Sequence, residues 1–300
     1  MKIKRVIIAI TAIILVLAIL FLVYLFYQPL MNSLNCSTSE SVKTIKNITY
    51  TPNQSLDIYL PNKTCILQKP LPTIILIHGG GWDGGRKEDL SSLAIPLAKK
   101  GYASISVDYS WSSKQKFPAQ IKELNASVQW VKQNSKKFNL DKEHIGVIGF
   151  SAGGHLASLL AVQSSDIKAV ISFWGPQNLE TIIPQCNESI YCGNNTKLLN
   201  EILLMFLGCD VNSKNVTCNK IAEQASPQSY INQNTKGISF LIIHGDKDEI
   251  VPTQQSIDFY NVLRQNGVDS ILLIEKNLSN GTVSDIDVIA IDKFLKDKLI

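Results

Sequence analysis

The chain has 300 residues, 45% of them apolar and 18% charged, with a net charge of +4. That length accommodates one large α/β domain with a real core beside a membrane segment, and the composition is ordinary for such a protein. Lys2, Lys4 and Arg5 supply +3 of the charge, so the rest is close to neutral and neither nucleic acid nor a strongly acidic partner is expected.

Residues Val6 to Tyr27 carry no charge. About 22 residues at 1.5 Å each give roughly 33 Å, enough to cross a bilayer. The stretch is too long for a cleavable signal peptide, and Gln28-Pro29-Leu30-Met31 offers no small-x-small cleavage site. These features predict a cytosolic stub over 1–5, an uncleaved anchor over 6–27 and a stalk over 28–41. The basic trio before the span places the body in a lumen or outside the cell. All six cysteines (Cys36, Cys65, Cys186, Cys192, Cys209, Cys218) follow the span, and an even count in an oxidising compartment suggests disulfides. The local pairing is Cys36–Cys65, Cys186–Cys192 and Cys209–Cys218, one of several the sequence permits. Ten Asn-x-Ser/Thr sequons, from Asn35 to Asn280, exceed the roughly three expected by chance and suggest a glycoprotein.

Beyond the stalk, Val42–Thr51 and Leu56–Leu60 alternate apolar and polar around Pro52-Asn53-Gln54, which predicts an antiparallel hairpin at a sheet edge. Pro72–His78, Tyr102–Asp108, His144–Phe150, Ile167–Phe173 and Ile238–His244 are continuous apolar runs suited to parallel strands buried on both faces. Helical patterns lie between them, at Leu90–Lys99, Ala119–Asn134, Ala152–Val162 and Gln254–Gln265. Ser270–Ile274 reads as a last strand and Asp285–Lys298 as a last helix. The order predicts a mostly parallel α/β sheet with crossover helices on both faces. More than sixty residues between Phe173 and Gly237 break the rhythm, with four cysteines and no strand pattern. They read as a cap insertion, about 175–236, within a domain of 42–300.

Gly149-Phe150-Ser151-Ala152-Gly153 follows an apolar strand and opens a helix, the context of a nucleophile elbow. Its glycines permit the tight turn that exposes the Ser151 hydroxyl. His78-Gly79-Gly80-Gly81-Trp82 follows another strand, and the Gly80 and Gly81 amides with that of Ala152 can form an oxyanion hole. Asp248, just after the strand ending at His244, can orient an imidazole. No histidine follows His244, however. Where a base belongs, the chain reads Asn277-Leu278-Ser279-Asn280-Gly281-Thr282, and an amide cannot take a proton from a serine. His78, His144, His155 and His244 are each placed by sequence in a structural setting. No cofactor is called for, and no cluster has metal-ligand spacing.

The chain resembles the α/β-hydrolase esterase/lipase superfamily, in its feruloyl-esterase-like branch with the HGGG loop. The stretches that carry the likeness are Phe117-Pro118-Ala119-Gln120, Trp130, Gly149 through Ala157, Ala225-Ser226-Pro227, His244 through Pro252 and Gly267-Val268-Asp269. An anchored, glycosylated esterase is also similar to the arylacetamide-deacetylase group. The resemblance implies an α/β-hydrolase fold, Ser151 as nucleophile, Asp248 as acid, Gly80, Gly81 and Ala152 as oxyanion donors, and a small ester or lipid-like ligand. It also implies a histidine where Asn280 stands. Three readings follow: an esterase impaired by that replacement, an active esterase with another base, and a non-catalytic binding or surface module on the same fold.

Overall fold

The computed structural model describes residues 41–62, 69–213, 215–281 and 285–300. Its larger compact unit comprises Val42–Pro61 and Lys69–Ile300. Eight strands form one sheet: β1 (Val42–Thr51), β2 (Gln54–Pro61), β3 (Leu71–Ile77), β4 (Ala103–Val107), β5 (Leu140–Phe150), β6 (Ile167–Phe173), β7 (Ser239–Gly245) and β8 (Ser270–Glu275). Their order is β1-β2-β4-β3-β5-β6-β7-β8. The pairs β1/β2 and β2/β4 are antiparallel and all others parallel. This is the α/β-hydrolase arrangement.

The central strands are apolar on both faces because helices cover both. Every residue of β4 is buried, as are all of β3 and β6 except one position each. The covering helices are α1 (Ser91–Lys99), α2 (Ala119–Phe138), α3 (Ala152–Val162), α7 (Gln254–Gln265) and α8 (Asp285–Leu299). Between β6 and β7 lie α4 (Ile182–Glu188), α5 (Thr196–Leu207) and α6 (Val216–Ala225), with short 3-10 turns and no strand. Two disulfides, Cys186–Cys192 and Cys209–Cys218, tie this insertion within itself. The pairing expected for Cys36 and Cys65 lies outside the described residues.

Two elements differ from their sequence expectation by four residues. Helix α2 runs four residues past Asn134 and stops where Asn139 turns left-handed, with φ 53°. Lys136 and Lys137 in its last turn favour the extension through the helix dipole. Strand β5 begins at Leu140 rather than His144, because Leu71 and Pro72 pair with Leu140 and Asp141 before an irregularity in register.

The membrane reading requires correction. The expected anchor, Val6–Tyr27, lies outside the described residues, and among the described residues no helix is long and apolar enough to cross a membrane. The longest described helix, α2, has 20 residues but carries Lys122, Glu123, Lys132, Lys136 and Lys137. A membrane-bound chain with a cytosolic N-terminus and a lumenal or extracellular domain is therefore not carried further.

Candidate active site

Strand β5 ends at Phe150 and helix α3 starts at Ala152, leaving Ser151 alone in the turn. Its backbone is strained, with φ 51° and ψ −118°. The strain is held by the Ser151 N–H donating to the Phe173 carbonyl at 2.7 Å and by the His155 N–H donating to the Ser151 carbonyl at 3.0 Å. A Cβ on Gly153 would lie 2.3 Å from the Ile77 carbonyl oxygen and 2.4 Å from that of His78. Only glycine lets α3 sit this close to β3. Every residue of α3 from Ala152 to Ala161 is buried, so the elbow is fixed on a rigid base.

The loop after β3 crosses the mouth of this turn. Gly80 has φ 110°, and a Cβ there would lie 2.5 Å from the Gly84 backbone. Trp82 follows with φ 61° and is buried. Its indole N–H donates to Nδ1 of His155 at 3.1 Å, and its ring stacks on Phe206 at 4.4 Å. Nε2 of His155 donates to the Ala225 carbonyl at 2.6 Å. His155 thus ties the glycine loop, α3 and the insertion together. Burial holds its pKa down at about 4, so the ring is neutral near pH 7. Its Nε2 proton is committed to a backbone carbonyl and its Nδ1 lone pair to Trp82, so it is no base for Ser151.

Asp248 lies in the turn after β7 and is buried. Its Oδ1 accepts from the Ile250 and Val251 N–H groups, both at 2.9 Å. Its Oδ2 accepts from the Asn280 amide Nδ2 at 2.9 Å and lies 3.1 Å from Nε2 of buried His244. Nε2 of His244 also reaches the Val251 carbonyl at 3.0 Å, and Nδ1 pairs with the Ser256 hydroxyl at 2.7 Å. Because a carbonyl can only accept, Nε2 carries the proton and Nδ1 accepts. The carboxylate therefore has four donors around it, two backbone and two side chain. Asn280 is the residue that reaches Asp248 from the loop after β8.

The other two histidines are placed apart from this pair. His78 is buried, donates from Nδ1 to its neighbour's carbonyl at Gly79 (2.8 Å) and stacks on Tyr109 at 4.3 Å. Burial lowers its pKa. His144 is exposed and pairs with Asp141 at 2.9 Å.

A cavity of about 430 Å³ lies over the elbow. Gly80, Gly81, Ser151, Ala152 and Asn280 all line it. The remaining wall is apolar, with Trp82, Trp174, Leu199, Ile202, Ile250 and Val251 prominent. Leu199 and Ile202 come from α5, so the insertion forms one side of the cavity. Asp248 is not in the wall; it supports Asn280 from behind. Among the described residues, no group of His, Cys, Asp or Glu could hold a metal ion.

Two features escaped the sequence reading. The sequence places His244 at the end of a buried strand, and its contact with Asp248 needs the fold of the loop between them. The cluster of buried Lys87 and Asp57 with the partly exposed Asp108 and Glu88 joins residues from β2, the turn past β4 and the loop after β3, and no local spacing announces it.

Comparison with known proteins adds a family, two relatives and a structural neighbour. The BD-FAE family model matches residues 56–263. Esterase LipQ of Mycobacterium tuberculosis is 28% identical over 208 residues, covering 68% of this chain and 48% of the relative. Esterase LipC of the same organism is 26% identical over 217 residues, covering 71% and 53%. The chain thus spans about half the length of these curated relatives. Esterase B of Lactobacillus rhamnosis superposes with a TM-score of 0.70 at 20% identity, covering 94% of this chain and 93% of that one, which is a likeness of fold.

Proposed function

Because the chain belongs to the BD-FAE family, we propose that it binds a small ester or related acyl compound over Ser151 and turns it over slowly. Residues 42–300 are read as the hydrolase domain, with 175–236 as its cap. Ser151 is the nucleophile, the Gly80, Gly81 and Ala152 amides are the oxyanion donors, and Asp248 is the acid. The observation that carries the reading is the 2.9 Å bond from the Asn280 amide to Asp248. In a working triad, that carboxylate holds an imidazole that takes the serine proton. An amide satisfies the carboxylate but accepts no proton near neutral pH, so Ser151 keeps an ordinary, weakly nucleophilic hydroxyl. An active esterase with another base finds little support, since each of the four histidines is engaged elsewhere. A purely binding role remains the competing reading, because Asp248 is fully satisfied without any catalytic partner.

The test uses p-nitrophenyl acetate hydrolysis and fluorophosphonate labelling on the wild type, Ser151→Ala and Asn280→His. The wild type is expected to be slow in both. Asn280→His should raise both by about two orders of magnitude or more, the usual contribution of a general base. Fast wild-type hydrolysis that Ser151→Ala abolishes would reveal a different base. A folded Asn280→His protein that stays unlabelled favours the binding role.

A further inference from the structure

We propose that Ser151 holds its acyl group as a long-lived acyl-enzyme, and that the site passes it from an activated donor to an amine rather than to water. This rests on Ser151 being a nucleophile and on Asn280 standing where a base would be. Its basis is the chemistry of the cavity wall. Among the described residues, glycines, Ser151, Ala152, Asn280 and apolar side chains line it, and no titratable side chain is among them. Asp248 is buried behind Asn280 with both oxygens occupied. Among the described lining residues, a water molecule in this cavity meets no group that can take its proton.

The two halves of acyl transfer suffer unequally from that lack. In the first, Oγ of Ser151 bonds to the acyl carbon and the bond to the leaving group breaks. Where the leaving group is an aryloxide or thiolate, it departs without prior protonation and ends with the serine proton. The glycine loop and the Ala152 amide stabilise the intermediate's oxyanion, and such a hole retains roughly 10³–10⁴-fold catalysis over water when a triad member is missing. Without a base Ser151 and water are comparably weak nucleophiles, so the halves differ in what leaves: in the second it is the Ser151 alkoxide, a far poorer leaving group than an aryloxide or thiolate, and water brings no readily released proton for it. An uncharged amine attacks with its own lone pair. Its nitrogen bonds to the acyl carbon, the carbon–Oγ bond breaks, and the amine proton passes to Oγ, giving an amide and free Ser151. Apolar walls from Leu199, Ile202, Ile250 and Val251 suit an aliphatic acyl chain and offer water few partners.

The test incubates the full chain with p-nitrophenyl butyrate and follows the intact mass. One butyryl group should accumulate on the protein, map to Ser151 and persist in buffer. Benzylamine should then remove it as N-benzylbutyramide at least about tenfold faster than buffer alone, a modest share of what a general base contributes. In Asn280→His the adduct should be lost quickly to water. A wild-type adduct that water removes as fast as benzylamine does overturns this inference but leaves Ser151 as the nucleophile. A folded protein that neither the ester nor a fluorophosphonate modifies at Ser151 overturns both.

Discussion

Acid should loosen the insertion from the elbow through one ring, His155. The ring is fully buried, donates to Ala225 at 2.6 Å and accepts from Trp82 at 3.1 Å. Protonation would place a second N–H against the Trp82 N–H and a charge among apolar rings. Burial depresses the folded pKa to about 4, and the Ala225 carbonyl opposes this only in part. In the unfolded chain the ring titrates near 6.5. Between these values the unfolded state binds the extra proton, so stability falls as pH drops through 6.5 and levels off below the folded pKa. Linkage gives a loss of about 2 kcal/mol at pH 5 relative to pH 8, and roughly 3 kcal/mol at full effect. His78, also buried with a lowered pKa, acts in the same direction. Urea unfolding of the wild type and His155→Gln at pH 8 and pH 5 isolates the contribution of this ring. Glutamine keeps a donor and an acceptor but does not titrate, so the wild type should lose about 2 kcal/mol more than the variant over this range. Parallel losses would refute the reasoning, as would a native His155 resonance that titrates near 6.5 by NMR.

Lys87→Met should destabilise the protein by about 3 kcal/mol in urea unfolding, because it strands buried Asp57 and half-buried Asp108 without their cation. Gly80→Ala, placed in the Asn280→His background, should cut fluorophosphonate labelling by about 10²-fold, since the glycine loop must move off the Gly84 backbone. Reducing the two disulfides should lower stability by about 2–3 kcal/mol each, given loops of under a dozen residues. Unfolding with and without a phosphine reductant measures this, and a cooperative loss confined to the insertion's fluorescence or exchange would locate it.

The strands, the elbow and the glycine loop were legible because each rests on a local rule. Parallel strands buried twice over need unbroken apolar runs, as in Ala103–Val107. A strained turn between strand and helix needs glycine where Gly149 and Gly153 stand, because neighbouring backbone leaves no room for a Cβ. That no histidine follows His244 was legible from histidine count and chain order alone. What was not legible depends on contacts between distant segments. His155 meets Trp82 73 positions away and Ala225 70 away, and Lys87 gathers Asp57 from β2 and Asp108 from just past β4. No period or spacing encodes such meetings; they exist only once the sheet order is set.

The amide at position 280 also bears on how such a site can change without collapsing. Asp248 is an ion sealed from solvent, and its remaining lone pair needs a donor from the loop after β8. Alanine or leucine there would leave that oxygen with the His244 Nε2–H alone, which it shares with the Val251 carbonyl, at a penalty of about 1 kcal/mol. Asparagine supplies the same N–H that an imidazole would supply while removing the proton acceptor on the ring's far side. On the proposed function, position 280 would let the chain exchange chemistry while leaving the electrostatics of its interior in place.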